Sequence, residues 1–128
     1  MGVHTKLDAL YDRVPRIKCQ GLCTADCAEI SMSLVEARRL WQKTGVWPVY
    51  DVEKQRCGYL EDGRCTVYRL RPLICRVYGV HEEMPCPFGC KPERTLTAQD
   101  YDRLYAMRED IAGVERYHAQ RKGIHGNR

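Results

Sequence analysis

Residues 65–78 read CTVYRLRPLICRVY, and the local structure on either side of this stretch can be worked out from it. Pro72 is well placed as the first residue of a short helix, because proline is favoured in the first helical turn. Gly79 can end that helix. Cys75 then falls in the first turn, where the positive end of the helix dipole favours a thiolate. The stretch therefore predicts a short helix with an ionisable cysteine near its start.

The residues just before this helix predict a β-hairpin. The sequence alternates on both sides of Asp62-Gly63, a pair typical of two-residue hairpin turns. If Cys57 and Cys65 both lay in the paired strands, they would be about four residues, or roughly 13 Å, apart along the ladder at ~3.4 Å per residue. One ion cannot bridge that distance. Either the chain bends at Cys57-Gly58 before the ladder begins, or the two cysteines serve different sites.

Helices are predicted further out along the chain. Ser33-Leu-Val-Glu36 has the pattern of a capping box and opens a helix that Gly45 can end. Residues 5–14 have the apolar spacing of a short amphipathic helix, and Thr97 opens a last helix predicted over 97–121. The tryptophans Trp41 and Trp47 are expected in the core, and the stretch from Val46 to Val52 is expected to be an edge strand or connector because Pro48 interrupts it.

Eight cysteines are distributed over three groups, each in a predicted loop, hairpin or helix start. They are Cys19, Cys23, Cys27, Cys57, Cys65, Cys75, Cys86 and Cys90. A zinc ion or an iron–sulfur cluster each takes four thiolates, so eight can fill two sites, or one site with spares. A disulfide framework would need an oxidising compartment, which nothing else in the sequence indicates. Metal ligation is therefore the leading interpretation.

Length and composition set the class of protein. The 128 residues correspond to one domain, and 44% hydrophobic with 30% charged residues is globular composition. No apolar run approaches the roughly 20 residues that cross a bilayer, and Asp8 and Asp12 interrupt the N-terminal segment where a signal peptide would be apolar. We therefore expect no membrane partner and a cytoplasmic location. The 21 basic and 17 acidic side chains give a net charge of +4, which suits an anionic partner without requiring one.

The cysteine pattern resembles that of the YkgJ family of cysteine-cluster proteins over residues 19–90. The family's first element, CxxxCxxCC followed by a capped helix, corresponds to Cys19, Cys23 and Cys27 and the helix that starts after Ser33. Its second element is a cysteine, here Cys57, and then C-x-[IV]-Y-x-x-RP-x-x-C-R-x-aromatic, which residues 65–78 match in full. A later cysteine, Cys86 or Cys90, completes the pattern. The chain departs from it in the family's CC pair, where Asp26 stands in place of one cysteine, or Ala28 does if the register moves by one residue. The substitute ligand would then be Cys90 or Asp26.

This resemblance implies a zinc- or iron-chelating domain. Asp26 as a substitute ligand would favour iron over closed structural zinc. An iron–sulfur cluster or iron is therefore the favoured cofactor, and the expected function is a redox or substrate-activating component with an unidentified partner. The alternative is a zinc-stabilised interaction module that binds nucleic acid or a protein. Against that alternative stand the absence of CxxC pairs and of aromatic residues interleaved with Lys or Arg. No catalytic residue is identified.

Charged side chains around the RP helix provide a candidate anion site. Arg71 and Arg76 flank the helix start, where backbone N–H groups already attract anions. Alternatively, the two arginines pair with Asp62, Glu82 or the negative charge of a thiolate-bound metal. His81 can be read as a further ligand, but a solvated loop histidine is the better interpretation.

These observations predict a small, helix-rich α+β domain over residues 1–128. It has one β-hairpin, and ligand loops surround a cysteine-bound metal centre. The metal-binding core covers 19–90, the C-terminal helix 97–121 and a basic tail 122–128.

Overall fold

The computed structural model describes residues 2–18, 31–112, 116–118 and 120–122, and these form a mixed α+β fold as predicted. The helices are α1 (Val3–Tyr11), α2 (Leu34–Thr44), α3 (Leu73–Val77) and α4 (Ala98–Ala112). The strands are β1 (Ser31–Ser33), β2 (Val49–Asp51), β3 (Arg56–Cys57), β4 (Leu60–Glu61), β5 (Arg64–Cys65), β6 (Arg116–His118) and β7 (Gln120–Lys122), with a 3₁₀ turn at Tyr68–Leu70. None of the helices described is long and apolar enough to cross a membrane.

The predicted capping box of α2 is confirmed. The backbone N–H of Glu36 donates to Ser33 Oγ at 3.2 Å, and the N–H of Ser33 donates to Glu36 Oε1 at 3.0 Å. Gly45 ends the helix in the left-handed conformation, with φ of 77°. Both ends of α2 are therefore set by residues adjacent in sequence, and the sequence pattern was sufficient to locate them.

The predicted hairpin is also confirmed. β4 pairs with β5 so that Leu60 faces Cys65 and Glu61 faces Arg64. Asp62 and Gly63 both have positive φ, 51° and 74°, as a type I′ turn requires. One hairpin was predicted, however, and the described residues contain a second, in which β2 pairs antiparallel with β3.

Two predictions for the remaining elements were wrong. β2 is a central strand and not an edge strand, because it lies between β3 and a parallel β7. Pro48 precedes the strand, so it removes no hydrogen bond from the ladder. The last helix is shorter than the predicted 97–121, because α4 ends at Ala112 and the backbone of β6 and β7 is extended. The start of α4 agrees with the prediction, since Thr97 Oγ1 accepts the Asp100 N–H at 3.1 Å.

The apolar side chains form two clusters. The first lies between α1, α3 and α4, and the second lies between α2 and the β4–β5 hairpin. The buried members of the first are Leu7, Leu10, Tyr11, Val14, Leu73, Val77, Val80, Leu96 and Leu104. Those of the second are Met32, Ala37, Leu40, Tyr59 and Val67.

The buried carboxylate of Glu36 connects the two clusters. It extends from α2, where it closes the capping box, and its Oε2 accepts hydrogen bonds from the Tyr11 hydroxyl at 2.6 Å and the Leu73 N–H at 2.7 Å. The guanidinium of Arg108, also fully buried, lies 3.5 Å from Oε1. One side chain thus joins α1, α2, the first residue of α3, and α4.

The Tyr11 hydroxyl makes the fold less stable at high pH. Its pKa is raised far above the ordinary value of about 10 by burial, by the charge of Glu36 and by the hydrogen bond to Glu36. The unfolded chain therefore releases the phenolic proton at a pH where the folded chain still holds it. We expect the free energy of unfolding to fall by up to about 1.4 kcal/mol per pH unit above about pH 10. Urea titrations from pH 7 to pH 11 measure this.

Substitution of Tyr11 identifies the group responsible. Tyr11→Phe retains the ring, so it should lose stability at neutral pH but have a weaker dependence on alkaline pH than the parent. Tyr68→Phe, at a tyrosine that is 43% exposed, is the matched control and should leave the slope unchanged. An unchanged alkaline slope in Tyr11→Phe would assign the effect to another group.

Candidate functional site

The structure describes five of the eight predicted metal-ligating cysteines, and all five are partly buried free thiols. They are Cys57, Cys65, Cys75, Cys86 and Cys90. Cys19, Cys23 and Cys27, together with Asp26, lie outside the described residues, so nothing in the structure bears on them. The described thiols fall into two pairs, with Cys75 on α3.

Cys57 and Cys65 form the first pair, and both pack against the second apolar cluster. The chain turns at Gly58, whose N–H donates to the Val49 carbonyl at 2.8 Å. A Cβ atom at Gly58 would lie 2.6 Å from Val49 Cγ2, so only glycine fits here. Because the β4–β5 ladder starts beyond Gly58, at Leu60, the structure favours the bend over a continuous ladder through both cysteines.

The environment of Cys57 disfavours its thiolate. Burial raises the pKa of the Cys57 thiol, and the nearby Cys65 raises it further, while a hydrogen bond with the backbone of Tyr59 opposes both effects. A buried thiolate needs a positive partner, and a bound metal ion would provide one.

Cys86 and Cys90 form the second pair, in a tight loop with the sequence CPFGC. The backbone of Phe88, Gly89 and Cys90 and the Cys90 thiol lie where they can hydrogen-bond to a Cys86 thiolate, and the Gly89 N–H also donates to the Cys86 carbonyl at 3.2 Å. These hydrogen bonds lower the pKa of the Cys86 thiol, chiefly through Phe88. Gly89 makes the turn possible because its φ is 82°. A loop that directs backbone donors at a thiolate is already arranged for a ligand role.

Cys75 lies in the first turn of α3, as predicted, with Pro72 as the residue that precedes the helix. Arg71 Nη1 donates to the Cys75 carbonyl at 3.2 Å. Arg76 donates from Nε to the Arg71 carbonyl at 2.6 Å and from Nη2 to the Arg69 carbonyl at 2.8 Å. The two guanidinium groups therefore support the backbone on both sides of Cys75.

The same arginines create a concentration of positive charge beside Cys75. The Arg76 guanidinium lies 4.0 Å from the centroid of the Tyr11 ring, and that of Arg71 lies 3.8 Å from the Tyr68 ring. The pKa of Arg76 is lowered, mainly by burial and further by the neighbouring charges of Arg71 and Arg39. Among the described residues, neither Arg71 nor Arg76 forms an ion pair of 4.0 Å or less with a carboxylate.

The start of α3, where the anion site was predicted, already binds a carboxylate of the protein. The first N–H of α3, on Leu73, already donates to the carboxylate of Glu36 at 2.7 Å. An external anion at this helix start would compete with a side chain of the protein itself. The two predicted partners Asp62 and Glu82 do not pair with either arginine in the described structure. Anion binding at Arg71 and Arg76 stays a prediction.

Two expectations about single residues were wrong. His81 is not a solvated loop residue, because it is 5% exposed and its Nδ1 accepts the Glu83 N–H at 3.0 Å. Trp41 and Trp47 are not core residues, since they are 43% and 37% exposed. The apolar spacing of α2 would place Trp41 on the buried face. In the structure, Trp47 from the loop after the helix covers Trp41, and the core does not.

The described residues on either side of the segment 19–30 lie beside the two thiol pairs. Before it, Ile17 lies near Gly79 and Cys86, because a Cβ at Gly79 would be 3.5 Å from Ile17 Cδ1 and 3.9 Å from Cys86 Cβ. Cys19 follows Ile17 by two residues in the sequence. After it, Met32 packs in the same cluster as Cys57 and Cys65. The chain therefore enters residues 19–30 near one thiol pair and leaves them near the other.

Zinc and iron–sulfur clusters prefer soft thiolate ligands, and the described cysteines supply them mainly as two pairs. Within the described ranges, no group of three or more His, Cys, Asp or Glu side chains is placed so that it could hold a metal ion. A four-thiolate centre would thus need ligands from residues 19–30. Comparison of the chain with protein-family models, with curated proteins and with solved structures found no match.

Proposed function

We propose that this protein binds an iron–sulfur cluster or iron through cysteine thiolates and acts as a redox or substrate-activating component. The observation that carries the proposal is the Cys86–Cys90 loop, which places two thiols in one tight turn made by Gly89 and whose backbone, chiefly at Phe88, lowers the pKa of the Cys86 thiol. Hydrogen bonds to cysteine sulfur are a principal means by which proteins adjust the potential of iron–sulfur clusters.

The ligands would come from both thiol pairs, from Cys75 and from the three cysteines of residues 19–30. The described residues that flank this segment support this distribution, because Ile17 lies near Cys86 and Met32 packs in the same cluster as Cys57 and Cys65. When bound, the metal or cluster would supply one-electron chemistry or an electrophilic site for a substrate. The chain itself supplies the sulfur donors and holds them in turns stabilised by glycine.

Charge supports the same proposal. Four thiolates around iron carry net negative charge, and nearby cations stabilise it. Arg71 and Arg76 lie on either side of Cys75 and pair with no carboxylate in the described structure. They are therefore suited either to neutralise the centre or to hold an anionic substrate or redox partner beside it.

The choice of iron over zinc follows from the number of donors. Eight thiols exceed the four that one closed zinc site uses, and Asp26 stands where the YkgJ-like pattern has a further cysteine. The resemblance to that family is part of the proposal, as is a reducing, cytoplasmic location, which suits the free thiols in the described structure. The alternative is a zinc-stabilised interaction module for nucleic acid or a protein partner.

Elemental analysis of untagged protein, purified anaerobically, tests the proposal. We expect brown protein with visible absorption and stoichiometric iron, and acid-labile sulfide if the centre is a cluster. Omitting the affinity tag removes an adventitious source of bound metal. Stoichiometric zinc without visible absorption would contradict the iron proposal and support the zinc module, and protein that contains neither metal would contradict both.

A further inference from the structure

Two tryptophans lie side by side on the surface where α2 ends. The rings of Trp41 and Trp47 stack with centroids 5.4 Å apart and planes 14° from parallel. Although they cover part of each other, they remain 43% and 37% exposed, and Val46 between them is 51% exposed. Exposed large aromatic side chains in a rigid group mark binding surfaces more often than isolated ones do.

The surrounding backbone holds this pair in place. Gly45 ends α2 in a left-handed conformation, and Thr44 Oγ1 bonds with the Leu40 carbonyl and with the N–H and carbonyl of Val46. The Tyr59 hydroxyl donates to the same Val46 carbonyl at 2.6 Å. The loop carrying Trp47 is therefore fixed to both α2 and the residue that precedes the β4–β5 hairpin. A ligand would meet a preformed surface, so little conformational entropy of the loop would be lost on binding.

The charge around the pair is positive. Residues 37–50 contain three cations and no acidic side chain. Arg39 is paired with Asp8 at 2.5 Å, but Arg38 and Lys43 are exposed and form no ion pair among the described residues. The cations alternate with the aromatic residues along the chain, contrary to the expectation that no such interleaving occurs in this sequence.

We infer that this surface, formed by Trp41, Trp47 and Arg38 one helical turn before Trp41, binds single-stranded nucleic acid. Exposed aromatic rings accept unpaired bases by stacking, and flanking cations contact the phosphates. A duplex is a poorer match, since its bases are already stacked. A membrane is a poorer match too, because the apolar face of α2 is buried in the second cluster and cannot insert into lipid. The inference does not depend on the proposed metal centre.

The fluorescence of the protein tests this inference directly, because Trp41 and Trp47 are its only tryptophans. Titration of the metal-bound protein as purified with a poly-dT oligonucleotide should quench the emission saturably, and added salt should reverse the quenching. A duplex of equal length should quench less at the same concentration. Anionic phosphatidylglycerol vesicles are the third probe, and they should cause no blue shift.

Variants measured by the anisotropy of a labelled oligonucleotide identify the contacts. Trp41→Ala and Trp47→Ala should each weaken binding about tenfold or more, as loss of one base stack does. Arg38→Gln, which leaves the stack intact, should reduce the slope of log affinity against log salt by about 0.7. The matched controls are Phe88→Ala, at an exposed aromatic residue on another loop, and Lys54→Gln, at an exposed lysine. Neither should change affinity.

Three results would overturn the inference. Unchanged fluorescence with poly-dT at low salt shows that single strands do not bind there. A blue shift with vesicles but no quenching by oligonucleotides assigns the surface to membranes. Binding that survives both tryptophan variants and Arg38→Gln places the nucleic-acid site elsewhere. Because the metal content of each variant can be measured separately, failure here leaves the proposed metal centre untouched.

Discussion

Replacing Glu36 with glutamine is expected to destabilise the fold by about 3–5 kcal/mol, the cost of removing one partner of a buried ion pair. Glutamine has nearly the same size, so the change removes the charge without opening a cavity. Among the described residues, Arg108, 2% exposed, would then keep Glu109 as its one charged partner, at 3.0 Å. The new amide N–H₂ would also face groups that are themselves donors, such as the Leu73 N–H and the Tyr11 hydroxyl. Urea denaturation at constant metal loading measures the loss.

A double-mutant cycle separates the ion pair from the rest of the network. The variant Glu36→Gln with Arg108→Met removes both buried charges, and we expect it to be more stable than the sum of the single variants implies, by about 1–3 kcal/mol. Glu53→Gln, at an exposed glutamate between β2 and β3, is the control and should shift stability by no more than about 0.5 kcal/mol. If Glu36→Gln behaves like this control, the carboxylate does not connect the helices as described.

The role of Glu36 shows what local patterns can and cannot predict. A capping box joins residues three apart, so its pattern in the sequence located both the start of α2 and the bonds between Ser33 and Glu36. The bonds of the same carboxylate to Tyr11, 25 residues away, and to Leu73, 37 residues away, depend on how the helices pack. No short-range pattern encodes that packing.

The tryptophans and the C-terminal strands illustrate the same limit. Helical spacing correctly predicts which residues share a face of α2, but it does not say where the core ends, and Trp41 lies beyond it. Residues 116–118 and 120–122 are extended because they pair with β1 and β2, partners more than 60 residues earlier in the chain. Pairing over such distances overrode the helical spacing that predicted α4 to continue.

The candidate site was predictable in its donors but not in its geometry. The cysteines and their turns followed from Gly, Pro and Asp in the sequence, because such residues permit tight turns. The backbone donors of the Cys86–Cys90 loop were missed, although Pro87 and Gly89 within CPFGC could have indicated a tight turn around the first sulfur. The free positive charge beside Cys75 was not predictable, since it depends on the arginines bonding with carbonyl groups and not with carboxylates.

Replacing Cys86 with serine is expected to remove the bound metal altogether if there is one centre, and about half of it if there are two. Serine keeps the size of the side chain, but its hydroxyl is a far poorer ligand for iron than a thiolate at neutral pH. Cys57→Ser tests the other thiol pair in the same way, and iron per protein chain is the measurement. Complete loss in both variants would mean that the two pairs share one centre. Loss of about half of the iron in each variant would mean that the two pairs belong to separate centres. The bend at Gly58 does not require separate centres.

Phe88→Ala is the matched control for Cys86→Ser, because it lies in the same loop and alters an exposed side chain while leaving the backbone N–H in place. It should keep the full metal content. Since a metal that orders small domains also stabilises them, Cys86→Ser should in addition unfold at a lower urea concentration, whereas Phe88→Ala should not. Full metal content in Cys86→Ser would show that the loop is not a ligand loop. The hydrogen bonds to its sulfur would then stabilise only a free thiolate, and the centre would have to be built from the other cysteines.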